Sequence, residues 1–364
     1  MSITRINIGP VHPSTHGVLH LMVDVEGDTV KNVEPHIGFL HRGVEKLAET
    51  RMYMQSPPYM EKLDYVAPLA YDEAYVATVE SALGIEVKER AQYIRLIELE
   101  LQRIASHLFF LGALCNDMGQ MFTMFMWVFE DRDRVLDLLQ EATGQRMFYV
   151  NMRLGGVTLD LPPDFTDNCL NFLQYLEKRI SKYENYLEKN PVFIERTKGV
   201  GILDKSEAKS LGVTGPILRA SGIPYDVRKQ KPYYVYEKLN FSPAIQQKGD
   251  NFARYKIRIM ELYESIRLVR EALRRMPEGN ALGLPVKLIG PQAKNKVVTV
   301  SRELPRGECM MYMVADSQRP YRLAIRSPCF INLHALNYLA KGQRLADLFS
   351  IMGTLDLVMA CVDR

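Results

Sequence analysis

Residues 88–114 read KERAQYIRLIELELQRIASHLFFLGAL. Ile94, Ile97, Leu101, Ile104, Leu108 and Leu111 recur by threes and fours, so a helix over Lys88 to Leu114 gathers them into one continuous apolar stripe. The stretches on either side keep the same period. Tyr65 to Leu83 reads as a helix that tolerates Pro68 near its start and closes at Gly84. A second stripe runs from Met118 to Glu141 and ends at Gly144. Asp164 to Asn190 is amphipathic and stops at Pro191, and Phe252 to Met276 adds another long segment. Upstream, Gly43 to Glu49 starts a shorter helix that Pro57-Pro58 breaks. Four or five long helices predict a bundle.

Outside that centre the period changes. Leu19, Leu21 and Val23 are two apart, the strand spacing, and short apolar runs at Ile6 to Ile8 and Val30 to Val33 flank them. Gly17 and Glu26-Gly27-Asp28 break the runs, which predicts a small sheet over residues 1–42. Residues 196–247 are rich in Gly, Pro and Lys/Arg and read as a long surface loop with short helical turns. Pro277, Pro285, Pro291 and Pro305 make 277–307 a connector. Met310 to Val314 and Tyr321 to Ile325 read as a hairpin, Asn332 to Ala340 and Leu345 to Met352 as short helices, and Leu355 to Arg364 as an extended tail. The expected class is α+β: a β domain over 1–42, a helical bundle over 43–276, and a C-terminal part of β elements and short helices over 277–364.

Composition narrows the function. A chain of 364 residues buries a large core. A formal charge of +3 with no polybasic run gives no argument for nucleic acid. The five cysteines include no C-x-x-C pair, against both a disulfide framework and a self-contained iron–sulfur or zinc site, so a reducing, cytosolic setting is expected. No secretory signal is expected from the strand-like start. The most apolar stretch, Met118 to Phe129, is shorter than the roughly 20 residues a bilayer needs. There is no Walker loop, and Gly38, Gly43 and Gly155-Gly156 make no dinucleotide fingerprint.

Chemistry concentrates in Gly9-Pro10-Val11-His12-Pro13-Ser14-Thr15-His16-Gly17, a tip between two strands. Pro13 and Gly17 exclude a helix there. Three readings stand. The histidines bind a metal, for which no carboxylate or cysteine is near in sequence. The polar groups satisfy a turn. Or His16 donates a hydrogen bond and then a proton to a redox substrate, as a group titrating near neutrality can. His20 falls on the following strand. Asp64 can cap a helix that Tyr65 begins, and nothing in the residues alone singles out Tyr65. Asp117 sits at a turn between two long helices, either as a cap or as a carboxylate that holds a histidine ring in one tautomer. Met118, Met121, Phe122, Met124, Phe125, Met126 and Trp127 read as core, with lining of a ligand channel as the lesser alternative.

The same residues carry a resemblance. Ile8 to Gly17 and His36-Ile37-Gly38-Phe39-Leu40-His41-Arg42-Gly43-Val44-Glu45-Lys46 closely resemble the start of the quinone-site subunit of the NADH–quinone oxidoreductase (respiratory complex I) family, with its chloroplast, cyanobacterial and archaeal relatives. Glu100 to Leu108, Thr143 to Arg146, Arg153 to Val157, Leu218 to Gly222, Asp226 to Lys229 and the ending Val362-Asp363-Arg364 agree, so the resemblance covers essentially the whole chain. It implies a peripheral-arm subunit, on the cytoplasmic or stromal face of an energy-converting membrane, beside a small subunit that holds the terminal [4Fe–4S] cluster. A quinone or methanophenazine headgroup enters between the two. His16 and Tyr65 match the proposed headgroup ligands, and Asp117 matches the aspartate that pairs with the histidine. This chain would bind no cofactor itself and would be inactive alone. The charge change on reduction would drive proton pumping in the membrane arm.

The family also resembles [NiFe] hydrogenase large subunits, which hold their metal with two C-x-x-C pairs. Here only Cys361 remains, and one thiolate cannot hold that centre. Two departures from many relatives stand out. Lys62 occupies the place of an arginine, and Met147-Phe148-Tyr149 follow Gly144-Gln145-Arg146 where a histidine is common. In those relatives both positive groups lie near the terminal cluster, and nearby positive charge favours its reduced form. Their change, including a planar guanidinium replaced by an ammonium, implies a lower-potential cluster. A low-potential acceptor such as plastoquinone, menaquinone or methanophenazine is then expected rather than ubiquinone. The electron donor (NADH, a deazaflavin or ferredoxin) would bind elsewhere. A scaffold that makes no substrate contact is the alternative of another class.

Overall fold

A computed structural model describes residues 2–12, 17–119, 121–285 and 295–364. The fold is α+β. Strands β1 (Ile3–Ile8), β2 (His20–Glu26) and β3 (Thr29–His36) form an antiparallel sheet in the order β1-β2-β3. Leu21, Val23 and Val25 face the core from one side of β2, as the two-residue spacing predicts. The helical region follows: α1 (Val44–Glu49), α2 (Pro68–Leu83), α3 (Glu89–Asp117), α4 (Met126–Thr143), α5 (Phe165–Glu188) and α6 (Asn251–Arg275). Pro68 is the first residue of α2, where its missing N–H costs nothing. Gly84 and Gly144 close α2 and α4 in the left-handed conformation.

The stripe on α3 is buried along its whole length. Its polar residues are buried as well, because α3 is the central helix and meets neighbours on every side. His107 bonds Glu261 of α6 at 2.7 Å, and Ser265 of α6 donates to Glu100 at 2.6 Å. Around Glu100 the burial cost is outweighed by Arg103 and Arg228 with Ser265 and Tyr236, which hold its carboxyl down at about 2.

Several local expectations need correction. Residues 196–247 do contain short helical turns, but the segment is no surface loop. Its Arg219 is buried against Glu261 and Glu303 at 2.6 and 2.8 Å, and its Arg228 against Asp226 and Glu100. Charge that reads as solvated in sequence is neutralised internally here. The connector 277–307 contains a strand, β4 (Lys296–Leu304), which pairs with β5 (Gly307–Ala315), and β5 with β6 (Pro320–Arg326). The expected hairpin is therefore a three-stranded sheet. The prolines hid β4, whose Val297, Val298 and Val300 are ordinary strand residues.

After α7 (Pro328–Leu333), α8 (Ala335–Ala340) and α9 (Leu345–Leu355), the tail is the short helix α10 (Met359–Asp363), not an extended strand. Asp356 at φ 55° ends α9 and turns the chain so that it re-enters a helix. Asp363 accepts the N–H groups of Gly38 and Leu40 at 2.9 and 2.7 Å, which ties the tail to the segment after β3. Of the methionine-rich run, Met124 is core, whereas Met126 and Trp127 are exposed. The side chains of Met121 and Phe122 lie outside the described residues.

Candidate functional site

Four segments meet at a cavity of about 210 Å³. The C-terminal turns of α3 supply Phe110, Asn116 and Asp117, the turn before α2 supplies Tyr65, the β4–β5 turn supplies Arg306, and the α9–α10 junction supplies Asp356. Arg306 fastens them together. Its Nη1 donates to Asp64 at 2.7 Å and to Ser106 of α3 at 3.3 Å. Its Nε donates to the Asp356 carbonyl at 2.9 Å, and Nη2 reaches the Asp356 carboxylate at 3.3 Å. Asp64 also accepts the N–H groups of Val66 and Ala67 at 3.1 and 3.2 Å, which fixes the backbone on both sides of Tyr65. Burial pushes the Asp64 carboxyl up, and Arg306 opposes that. Arg258 of α6 lies 3.6 Å from the Asp356 carboxylate, beyond hydrogen-bonding reach, and stacks over Phe110 at 4.1 Å.

Tyr65 is 38% exposed, open enough for its phenol to reach a ligand. Burial raises its pKa above the ordinary 10 despite Arg306, so it stays a neutral donor at physiological pH. Asp117 is the last residue of α3. Gly353 of α9 makes room for it: a Cβ there would lie 2.9 Å from Asp117 Oδ2.

The structure thus brings Tyr65 and Asp117 to one cavity. His16 lies outside the described residues. Gly17, the first described residue after it, packs on Met359, next to Val358 of the lining. His12 stacks on Phe349 at 5.4 Å. His20 bonds Asn7 at 3.0 Å on the sheet and is not part of the cavity. Lys62 and Phe148 touch each other, the ammonium 4.5 Å from the ring centroid. Sequence reasoning missed Arg306 and Arg258 altogether, because a turn arginine and a mid-helix arginine carry no local signal.

Among the described residues no three His, Cys, Asp or Glu side chains are placed to hold a metal ion. Cys361 meets the hydroxyls of Tyr71 and Ser327 at 3.0 and 2.9 Å. No helix among the described residues is long and apolar enough to cross a membrane.

The family described as "Respiratory-chain NADH dehydrogenase, 49 Kd subunit" matches residues 117–297 and 284–364. The chain is 43% identical to the NADH-quinone oxidoreductase D subunit of Dehalococcoides mccartyi (strain BAV1) over 99% of this chain and 98% of that protein. It is 39% identical to the corresponding D subunit of Geotalea uraniireducens, over 100% and 99% of the two chains. It is 41% identical to that of Desulforamulus reducens, over 98% and 97%.

Proposed function

Because the chain belongs to the family of the respiratory-chain NADH dehydrogenase 49 kDa subunit, the D subunit of NADH-quinone oxidoreductase, we propose that it forms one wall of the site where a membrane quinone or phenazine is reduced. The observation that carries this reading is the shared cavity: a neutral phenol at Tyr65 and a carboxylate at Asp117 line one space, with Arg306 fixing its back wall. About 210 Å³ is less than the roughly 300 Å³ at which whole-ligand pockets begin. It suits a single ring, with the rest of the enclosure supplied by an adjacent subunit that holds a [4Fe–4S] cluster.

Reduction takes two electrons from that carrier and two protons. The Tyr65 hydroxyl donates to one quinone carbonyl oxygen, or to one phenazine ring nitrogen, and His16 to the other, while Asp117 holds the histidine ring and favours its charged form. Both donors are refilled from water, and the charge change is passed to a proton-pumping membrane arm. The subunit sits on the cytoplasmic or stromal face and is inactive alone. The donor, whether NADH, a deazaflavin or ferredoxin, binds other subunits.

Tyr65→Phe and His16→Ala in the assembled complex are the test. Each should lower quinone reduction by about 10²-fold, the scale of a lost proton donor, with subunit content unchanged. Full activity in both variants would leave only a scaffold.

A further inference from the structure

Behind Phe148 lies a set of carboxyls that the cavity does not use. Glu61, Asp72 and Glu98 are fully buried and come from three elements: the turn after Met60, α2 and α3. All three converge on residues 149–152. Glu61 accepts the Val150 N–H at 2.6 Å, Glu98 accepts the Asn151 side-chain N–H at 2.6 Å, and Asp72 faces Glu61 and the Met152 N–H. Four of their six oxygens have no hydrogen-bond partner: Oε2 of Glu61, Oε2 of Glu98 and both oxygens of Asp72. Nor are three such side chains placed to share a metal ion among the described residues.

Carboxylate oxygens buried without donors are costly, and a proton removes the charge and supplies a donor. Two of the cations nearby are engaged. Arg95 is bidentate to Glu80 at 2.7 and 3.0 Å and also donates to Tyr234, and Lys62 lies over Phe148. Glu73, paired with Arg302, adds negative charge from α2. Tyr75 and Tyr149 are neutral, and Arg132 and Arg146 face Tyr149 from α4 and the segment after it. Burial pushes all three carboxyls up, Glu98 to about 8. The segment they hold has two non-glycine residues in the left-handed region, Phe148 at φ 60° and Val150 at φ 38°. That conformation persists only where surrounding contacts enforce it.

We propose that Glu61, Asp72 and Glu98 form a buried proton-holding site that positions Phe148 under Lys62. With protons in place, the three carboxyls are neutral and keep the strained turn through Val150, Asn151 and Met152. When protons leave to water, the remaining charges repel and draw the Lys62 ammonium, next to Glu61 in sequence, off the ring. Proton holding rests on this chain alone, and only its effect on catalysis rests on the function proposed above.

The test is infrared spectroscopy of the assembled complex in water and deuterium oxide, comparing wild type with the near-isosteric Glu98→Gln and Asp72→Asn. A protonated-carboxyl band present at neutral pH, fading through about pH 8 and reduced in either variant, is expected. Identical spectra in wild type and both variants would overturn the site. In parallel, the alkaline limb of the pH profile for quinone reduction should shift in Glu98→Gln, and an unmoved limb overturns the positioning role. Should Asp72→Asn fail to assemble, Glu98→Gln decides. A complex that reduces no quinone sinks the proposed function, and the infrared comparison still decides the proton site.

Discussion

Arg306 shows how much one unremarked residue can carry. Its guanidinium is the cation that binds both Asp64 and Asp356, all three being buried. Burial alone would lower its pKa, but the two carboxylates more than offset that and leave it raised. Arg306→Met leaves buried Asp64 without its cation and Asp356 with only Arg258 at 3.6 Å, and should destabilise the protein by about 3–5 kcal/mol. The readout is denaturant unfolding of the subunit or its loss from the purified complex. Tyr65→Phe removes only a half-exposed hydroxyl, so stability should change by less than about 1 kcal/mol while quinone reduction falls. A large loss of stability in that variant would show Tyr65 to be a packing residue. Legibility differed accordingly: Tyr65 came from family resemblance, Asp117 was already a candidate from its place between two long helices, and neither Arg306 nor Glu61 had a pattern to give it away.

At the scale of elements, α3 and α9 together set the cavity. The apolar stripe of α3 is core, so Leu108→Ala, at a fully buried position, should cost about 2–5 kcal/mol in unfolding free energy. The contact between α3 and α9 is subtler. Gly353 lies inside α9, and an alanine there improves helix propensity. Its Cβ would nonetheless press on Asp117 Oδ2 at 2.9 Å and Leu114 Cδ1 at 3.1 Å. Gly353→Ala should therefore leave thermal stability within about 1 kcal/mol and lower quinone reduction roughly tenfold, through a displaced carboxylate. Unchanged turnover would mean that Asp117 need not hold its place.

For the whole molecule, the buried charges give a two-sided pH dependence. Glu100 titrates lower in the folded state, at about 2, than its ordinary 4.5, so its contribution is present above about 4.5 and lost as pH falls toward 2. Glu98 titrates higher, at about 8, so its stabilising proton is kept at low pH and lost as pH rises from about 4.5 through 8. Thermal unfolding across pH should decline on both sides, and Glu98→Gln should flatten the alkaline side alone. Lys62 rests on the aromatic face of Phe148. On the function proposed above, an EPR redox titration of the cluster assigned to an adjacent subunit should place its midpoint below that of ubiquinone-linked enzymes. A midpoint equal to theirs would remove the argument for a low-potential acceptor.

What the sequence determined by itself was periodic: the helices of the bundle, the N-terminal sheet with its inward face on β2, and the α+β class all follow from apolar spacing, because burying one face needs no knowledge of the partner. Where charge or proline interrupted that spacing, the reading failed. Residues 196–247 looked like surface because Arg219 and Arg228 find Glu261, Glu303 and Glu100 only after the chain has folded. Strand β4 and helix α10 emerged from pairing with β5 and from the turn at Asp356. The cavity belongs to this second class. Tyr65, Asp117, Arg306 and Asp356 are spread over nearly 300 positions of sequence, and only tertiary packing makes them neighbours.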